Sequence, residues 1–359
     1  MNNILILANT PYQIIVAIQL ANTEFHNDNV DLLVSDNIAQ YESVIDRISK
    51  CRLFNTVSKL ISKDLKWQSW KYTLLSFFYG NNISNRIPSL RAKKYDWFLF
   101  ANTGGVAECI GTYLNKKTNT RLAMYEDGFV SYTNFYKGEI ETAIHPINLK
   151  SKLLYFVRKR SVAYLSRYYV FNPSLINTWQ FPFDIVRIKL IDKSTLPLLN
   201  TAFNYTPTNI FENYKYIFFE ESYFADGKII GDMEIVDDIA KSVGKENLLI
   251  KIHPRNPFNR FAEKGYNTNS DTSTPWEIIA LNLNLTNKVL ITIASGSSIT
   301  SYFISGVKAL KSILLYEMEG VNSKLLTPSI EVFNKICKHN DYFVYPHTKE
   351  ELKEILSNT

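Results

Sequence analysis

The chain has 359 residues, and at roughly 100–200 residues per domain it is expected to form two domains. Hydrophobic residues at 46% and charged residues at 21% exclude a disordered chain, and three cysteines exclude a disulfide-stapled scaffold. Forty Lys and Arg against 34 Asp and Glu leave a net charge of +6. That excess is too mild to mark a nucleic-acid partner, and it suits anionic substrates or an anionic membrane face.

The first apolar run, residues 4–8, is rich in Ile and Leu with little alternation, the pattern of a strand covered on both faces of a parallel sheet. It breaks at Asn9-Thr10-Pro11, and residues 12–21 take up helical spacing. The alternation repeats with a strand at 30–34, a helix at 40–50, a strand at 97–101, a helix at 106–114 and a strand at 121–125. Strand and helix in turn predict an open α/β sheet. Two later stretches, 65–79 and 149–169, are basic and aromatic together. Each reads as an amphipathic helix, either a core helix with a solvated basic face or a foot for an anionic bilayer.

Residues 195–213 turn polar and carry Pro197 and Pro207, so the domain boundary is placed there, with domains at 1–200 and 201–359. A second α/β series follows, with strands at 216–219, 248–252, 289–293 and 312–316 and helices at 232–243, 276–281, 299–304 and 348–356. The terminal helix is a candidate to pack back on the first domain. Two Rossmann-like halves facing a central cleft are expected.

Cys51, Cys109 and Cys337 are far apart and have no second Cys or His at metal-ligand spacing, so no metal site is expected and the setting is read as reducing and cytoplasmic. Met1-Asn2-Asn3 carries no basic charge and the run after it is short, so no export signal is expected. Nothing in the composition opposes a homodimer.

Ligands of open α/β sheets bind beyond the carboxyl ends of strands, so chemistry is sought just after each strand. No Gly-x-Gly-x-x-Gly or Gly-Lys-Ser/Thr follows the first strand, which removes the dinucleotide and P-loop fingerprints. His253 ends the 248–252 run, with Pro254 fixing the exit and Arg255 beside it; an imidazole there can protonate a departing phosphate, or can be structural. His145-Pro146 repeats the dipeptide in an irregular stretch.

Glu126-Asp127-Gly128 ends another strand, and two neighbouring carboxylates can hold one pKa high enough for a base, or form an acidic turn. Glu220-Glu221 and Asp226-Gly227 are a rival acidic cluster. Ser295-Gly296-Ser297-Ser298-Ile299-Thr300 bridges a strand and a helix and offers hydroxyls and backbone amides to an anion, with ordinary N-capping as the alternative. Asn9, Thr10, Asn102 and Thr103 suit sugar hydroxyls, and Glu277 suits a ribose or the helix dipole.

Glu126-Asp127-Gly128, His253-Pro254 and Ser297-Ser298, in that order, resemble the shared motifs of bacterial sialyltransferases, with glycosyltransferase family 52 the most similar and the likeness running from Asn9-Thr10-Pro11-Tyr12-Gln13 to the serines. The resemblance implies a GT-B fold, a CMP-sialic acid donor, no metal or other cofactor, and inverting transfer to a terminal sugar, usually galactose, of a surface glycan such as capsule or lipooligosaccharide. It assigns His253 as the acid assisting CMP departure. Ser297 and Ser298, with Ser295, Thr300, Arg255, Pro254, Glu277 and Gly128 around them, become donor contacts, and Gln13 joins Asn9, Thr10, Asn102 and Thr103 near the sugars. The base falls on Glu126 or Asp127 by the wider motif, or on Asp226 or Glu221 by the family 52 pattern. Membrane attachment would be peripheral, on the inner face. Polysialyltransferases carry similar motifs, and another nucleotide-sugar transferase or epimerase shares the fold class. A basic membrane-surface or nucleic-acid binding protein is the non-enzyme alternative.

Overall fold

The first strand is the reference for everything that follows. In the computed structural model β1 runs Asn3–Ala8, and residues 4–8 are wholly buried, as their lack of alternation predicts. Residues 1–62, 87, 89–103, 105–136, 140–141, 149, 152, 164–176, 183–207, 210–269, 271–338 and 340–359 are described here. The amphipathic reading of 65–79, His145-Pro146 and most of 149–169 lie outside them.

The chain divides into two units, Met1–Asn204 and Tyr205–Thr359. In the first, β2 (Asn29–Ser35) and β3 (Thr56–Leu60) lie on one side of β1. On its other side lie β4 (Trp97–Phe100), β5 (Arg121–Tyr125), β6 (Leu165–Val170) and β7 (Asp184–Arg187). All are parallel, in the order β3-β2-β1-β4-β5-β6-β7. The order reverses at β1, so the segments after β1 and β4 emerge at the switch point where such sheets bind ligands. The helix Pro11–Asn22 follows β1 at once, with Thr10 as its N-cap and Pro11 in its first turn.

Two expectations are corrected here. The end of the 149–169 stretch is strand, not helix: Tyr168 and Tyr169 are buried in β6 between β5 and β7, where flat aromatic residues fill a pleated surface. Residues 195–213 are not irregular throughout, because Leu196–Phe203 is a helix with Pro197 in its first turn, where proline starts a helix rather than breaking one. Arg47 Nε donates to the Ala202 carbonyl at 2.9 Å and ties this helix to Tyr41–Lys50 in the same unit.

The second unit repeats the plan. Its central strand, β8 (Tyr216–Phe219), lies between β9 (Leu248–Lys251) and β11 (Val289–Thr292). The two-residue β10 (Asn267–Thr268), β12 (Lys311–Leu314) and the two-residue β13 (Phe343–Val344) complete a parallel sheet ordered β10-β9-β8-β11-β12-β13. The helix Asp232–Val243 has the bounds its apolar spacing predicts. The terminal helix Lys349–Ser357 lies against it, with Lys349 Nζ 2.7 Å from Asp238. Among the described residues no helix is long and apolar enough to cross a membrane.

Candidate active site

In the first unit the polar groups converge on Glu126 and Asp127, immediately after β5. The two neighbours have opposite fates. Glu126 is 0% exposed and accepts from the Tyr12 hydroxyl at 2.6 Å, the Phe171 amide at 2.8 Å and the Tyr132 hydroxyl. Burial dominates its titration and raises its pKa to about 7, against the three donors that favour the charged form. Asp127 stays partly exposed. Gln13 Nε2 donates to its Oδ1 at 2.6 Å, the Tyr136 hydroxyl donates to its Oδ2 at 2.8 Å, and its own amide donates to Ser131 Oγ at 2.7 Å.

Gln13 is itself fixed. Its Oε1 accepts the Asn9 amide at 2.7 Å, and its backbone amide donates to the Thr10 hydroxyl at 3.2 Å in the N-cap. Gly128 takes φ +69, so the turn after Asp127 needs a residue free to adopt the left-handed region, although a Cβ there would find room at an ordinary 3.7 Å from the Tyr12 ring. The tripeptide therefore directs one carboxylate into the protein and the other out of it.

In the second unit the residues after β8, β9 and β11 come together. Half-buried His253 follows β9, and its Nδ1 accepts the Arg255 amide at 3.2 Å, which leaves the ring proton on Nε2. Burial, then the charges of Arg255 and Lys251, hold its pKa down to about 4. The free ring is thus neutral, and an anion beside it would supply the charge that favours protonation. Arg255 Nη2 donates to Ser222 Oγ, and its Nη1 lies 3.7 Å from Asp226 on an exposed turn. Pro254 is exposed.

The serine loop follows β11. Gly296, not a serine, is the N-cap of the helix Ser297–Ser305 and supplies no side-chain cap, so the capping alternative for Ser297 and Ser298 fails. Ser295 and Ser297 are partly exposed, and the Ser297 amide reaches Ser295 Oγ at 3.4 Å. Ser298 is 0% exposed, with its hydroxyl turned to the Ser295 carbonyl at 3.4 Å. Thr300 is buried and donates to Glu277 at 2.5 Å; Glu277 is buried too, and burial raises its pKa.

The structure places the other predicted contacts as follows. Gln13 is 0% exposed and donates to Asp127, and the Thr10 hydroxyl accepts in the helix cap. Ser298, Thr300 and Glu277 are sealed among protein groups, so the surface of the loop is Ser295, Gly296 and Ser297. Asn102 is partly exposed and Thr103 buried after β4. Glu126 is 0% exposed and Glu221 8%, so Asp127 and Asp226 are the more exposed of the four candidate carboxylates. Sequence reasoning missed Tyr132, Tyr136 and Phe171. A density of tyrosines just after Glu126-Asp127 was the only signal, since a 3-10 turn at Gly128–Tyr132 imposes no amphipathic period. Among the described residues no group of three His, Cys, Asp or Glu could hold a metal.

No protein-family profile matches the chain, and no curated protein matches its sequence. Solved structures do match its fold. An alpha/beta-galactoside alpha-2,3-sialyltransferase from Photobacterium phosphoreum superposes with a TM-score of 0.53 at 13% identity, covering 100% of both chains. The glycotransferase of kitacinnamycin gives 0.53 at 10% identity, covering 99% of this chain and 90% of that one. An Arabidopsis thaliana protein solved with UDP-L-rhamnose gives 0.53 at 10%, covering 99% and 89%. The chain has the GT-B fold of these proteins, two Rossmann-like domains.

Proposed function

We propose that the chain is an inverting glycosyltransferase that moves sialic acid from CMP-sialic acid to a terminal galactose of a surface glycan, without a metal. The observation that carries the reading is the fate of the three ordered motifs. Each lies just past a parallel strand of a GT-B fold, and each presents a partly exposed group of the chemistry required: the Asp127 carboxylate, the His253 imidazole and the Ser295–Ser297 loop.

In this mechanism Asp127 takes the proton of the acceptor hydroxyl as its oxygen attacks the anomeric carbon. The bond from that carbon to the CMP phosphate breaks as the centre becomes oxocarbenium-like. Gln13 and Tyr136 hold both carboxylate oxygens in place, which supports a base that would meet the hydroxyl from one direction. The donor's phosphate beside the ring favours the protonated form of His253, which passes its Nε2 proton to the departing phosphate and returns to the neutral ring, while Arg255 with the serine loop offsets the phosphate's growing charge. A UDP-sugar donor is the second reading, favoured by the equal fit to the protein solved with UDP-L-rhamnose.

The test is a donor screen read by mass spectrometry, with lactose as acceptor, run in excess EDTA and in parallel with added manganese. CMP-sialic acid should be turned over in preference to UDP-sugars. His253→Ala should lower turnover about 100-fold, with part of the loss recovered on a donor whose leaving group needs no proton. Turnover of UDP-sugars alone, or dependence on added manganese, would refute the reading.

A further inference from the structure

Glu221 is the second residue past β8, the strand with a neighbour on each side, and it is bonded to both of the loops that carry the donor-side groups. Its side chain reaches toward β11. Oε1 accepts the Thr292 hydroxyl at 2.9 Å and the Ala294 amide at 2.8 Å, while the Thr292 oxygen accepts the Ser295 amide at 2.8 Å. The start of the serine loop is thus tied to one carboxyl oxygen, directly and through one hydroxyl. Its backbone reaches the other way: the Glu221 carbonyl accepts Asn256 Nδ2 at 3.0 Å, and Asn256 sits in the turn that His253 opens, where its own amide donates to the His253 carbonyl at 3.1 Å.

Glu220 completes the arrangement on the His253 side. Its Oε2 accepts the His253 amide at 2.9 Å, and its Oε1 pairs with Arg260 at 3.2 Å. Arg260 also pairs with buried Asp232, so the acceptor for His253 is itself anchored. Both glutamates are buried, Glu220 at 2% and Glu221 at 8% exposure. A buried carboxyl whose Oε1 is taken by two donors can set the spacing of two loops.

We propose that Glu221 is a positioning residue that holds the Ser295–Ser297 loop in register with His253, and that it is not the base. This rests on the donor-site reading of that loop given above. The role needs a hydrogen-bond acceptor and no exchangeable proton, so glutamine should fulfil it and alanine should not.

The experiment compares Glu221→Gln, Glu221→Ala and Thr292→Val in the full chain by amide hydrogen exchange across residues 292–298, CMP affinity by calorimetry, and transfer from CMP-sialic acid. Glu221→Gln should stay within about twofold of wild type in all three. Glu221→Ala should speed exchange at Ala294 and Ser295 and weaken CMP about tenfold each, the scale of losing one or two buried hydrogen bonds. Thr292→Val should speed exchange at Ser295 in the same direction, and it decides the matter if the alanine variant does not fold. Unchanged exchange in Glu221→Ala overturns the proposal. So does a Glu221→Gln variant that keeps loop protection and CMP affinity but loses transfer, because that is the behaviour of a base. If wild type neither binds CMP nor turns over the donor, the functional reading fails, and the exchange data still decide whether Glu221 ties the loop.

Discussion

The buried carboxyl of Glu126 should make the first unit less stable as the solution becomes more alkaline, and the size of the effect follows from its surroundings. Its pKa is about 7 in the folded chain against an ordinary 4.5, chiefly because it is buried. A group raised in this way contributes its full stability below the unfolded value and loses it as pH rises through the folded one. At 1.36 kcal/mol per pKa unit, the loss between pH 5 and pH 8 is ~2.5 kcal/mol. Glu126→Gln removes the titration while keeping the shape. It also sets an amide NH2 among the donors from Tyr12, Tyr132 and Phe171, so its stability should be lower by about 1–3 kcal/mol at pH 5. Urea unfolding of both proteins from pH 5 to 8, followed by hydrogen exchange at the amides of β5 and β6, gives the comparison. The wild-type advantage should shrink by ~2.5 kcal/mol over that range and can reverse at the alkaline end. Parallel profiles would mean that the three donors keep Glu126 ionised throughout, and the reasoning would be refuted.

Four further variants bear on Asp127 and on the serine loop. Asp127→Asn should lower transfer by about 100-fold or more with CMP affinity unchanged, whereas Gln13→Glu, which sets a second carboxylate where Gln13 Nε2 now lies 2.6 Å from Asp127, should shift the pH–rate profile to higher pH; an unmoved profile would free Asp127 from Gln13. Ser297→Ala should weaken CMP by up to about 1.5–3 kcal/mol, the range for a hydrogen bond to a charged oxygen, and Ser298→Ala, sealed beneath the loop, should leave calorimetric affinity within about twofold; equal effects would contradict the burial assigned here.

The fold was legible wherever a strand is covered on both faces, because such a strand is apolar without alternation and stops at a polar break. The runs that became β1, β4, β8, β9 and β11 all have this form. The edges were not legible. β10 and β13 are two residues each, and β7 is mostly exposed, so neither length nor apolar content marks them. The helix Leu196–Phe203 was hidden by Pro197, which signals a helix start as readily as a loop. At the site, position after a strand identified the residues, since topology brings strand ends together whatever their spacing in the chain. Exposure was not legible: Glu126 and Asp127 are adjacent and chemically alike, and what separates them is supplied from residues 12, 132 and 171 on one side and 13 and 136 on the other.

That separation also decides between the two carboxylates that remain. Ionised, a carboxylate offers about four lone-pair sites. Asp127 uses one on each oxygen, for Gln13 and for Tyr136, and both donors are neutral. The remaining sites point in directions fixed by a glutamine that is itself held by Asn9 and by a tyrosine, so an acceptor hydroxyl would meet the same lone pair at every turnover. Asp226 has no comparable frame: it sits on the exposed turn between Ser222 and Gly227, and the side-chain contact found for it is the 3.7 Å pair with Arg255, a residue that a phosphate would draw away. A base must be positioned before its basicity matters. By that criterion the proposed proton transfer falls to Asp127 rather than Asp226, and under that reading Asp226→Asn should spare transfer where Asp127→Asn lowers it by about 100-fold or more.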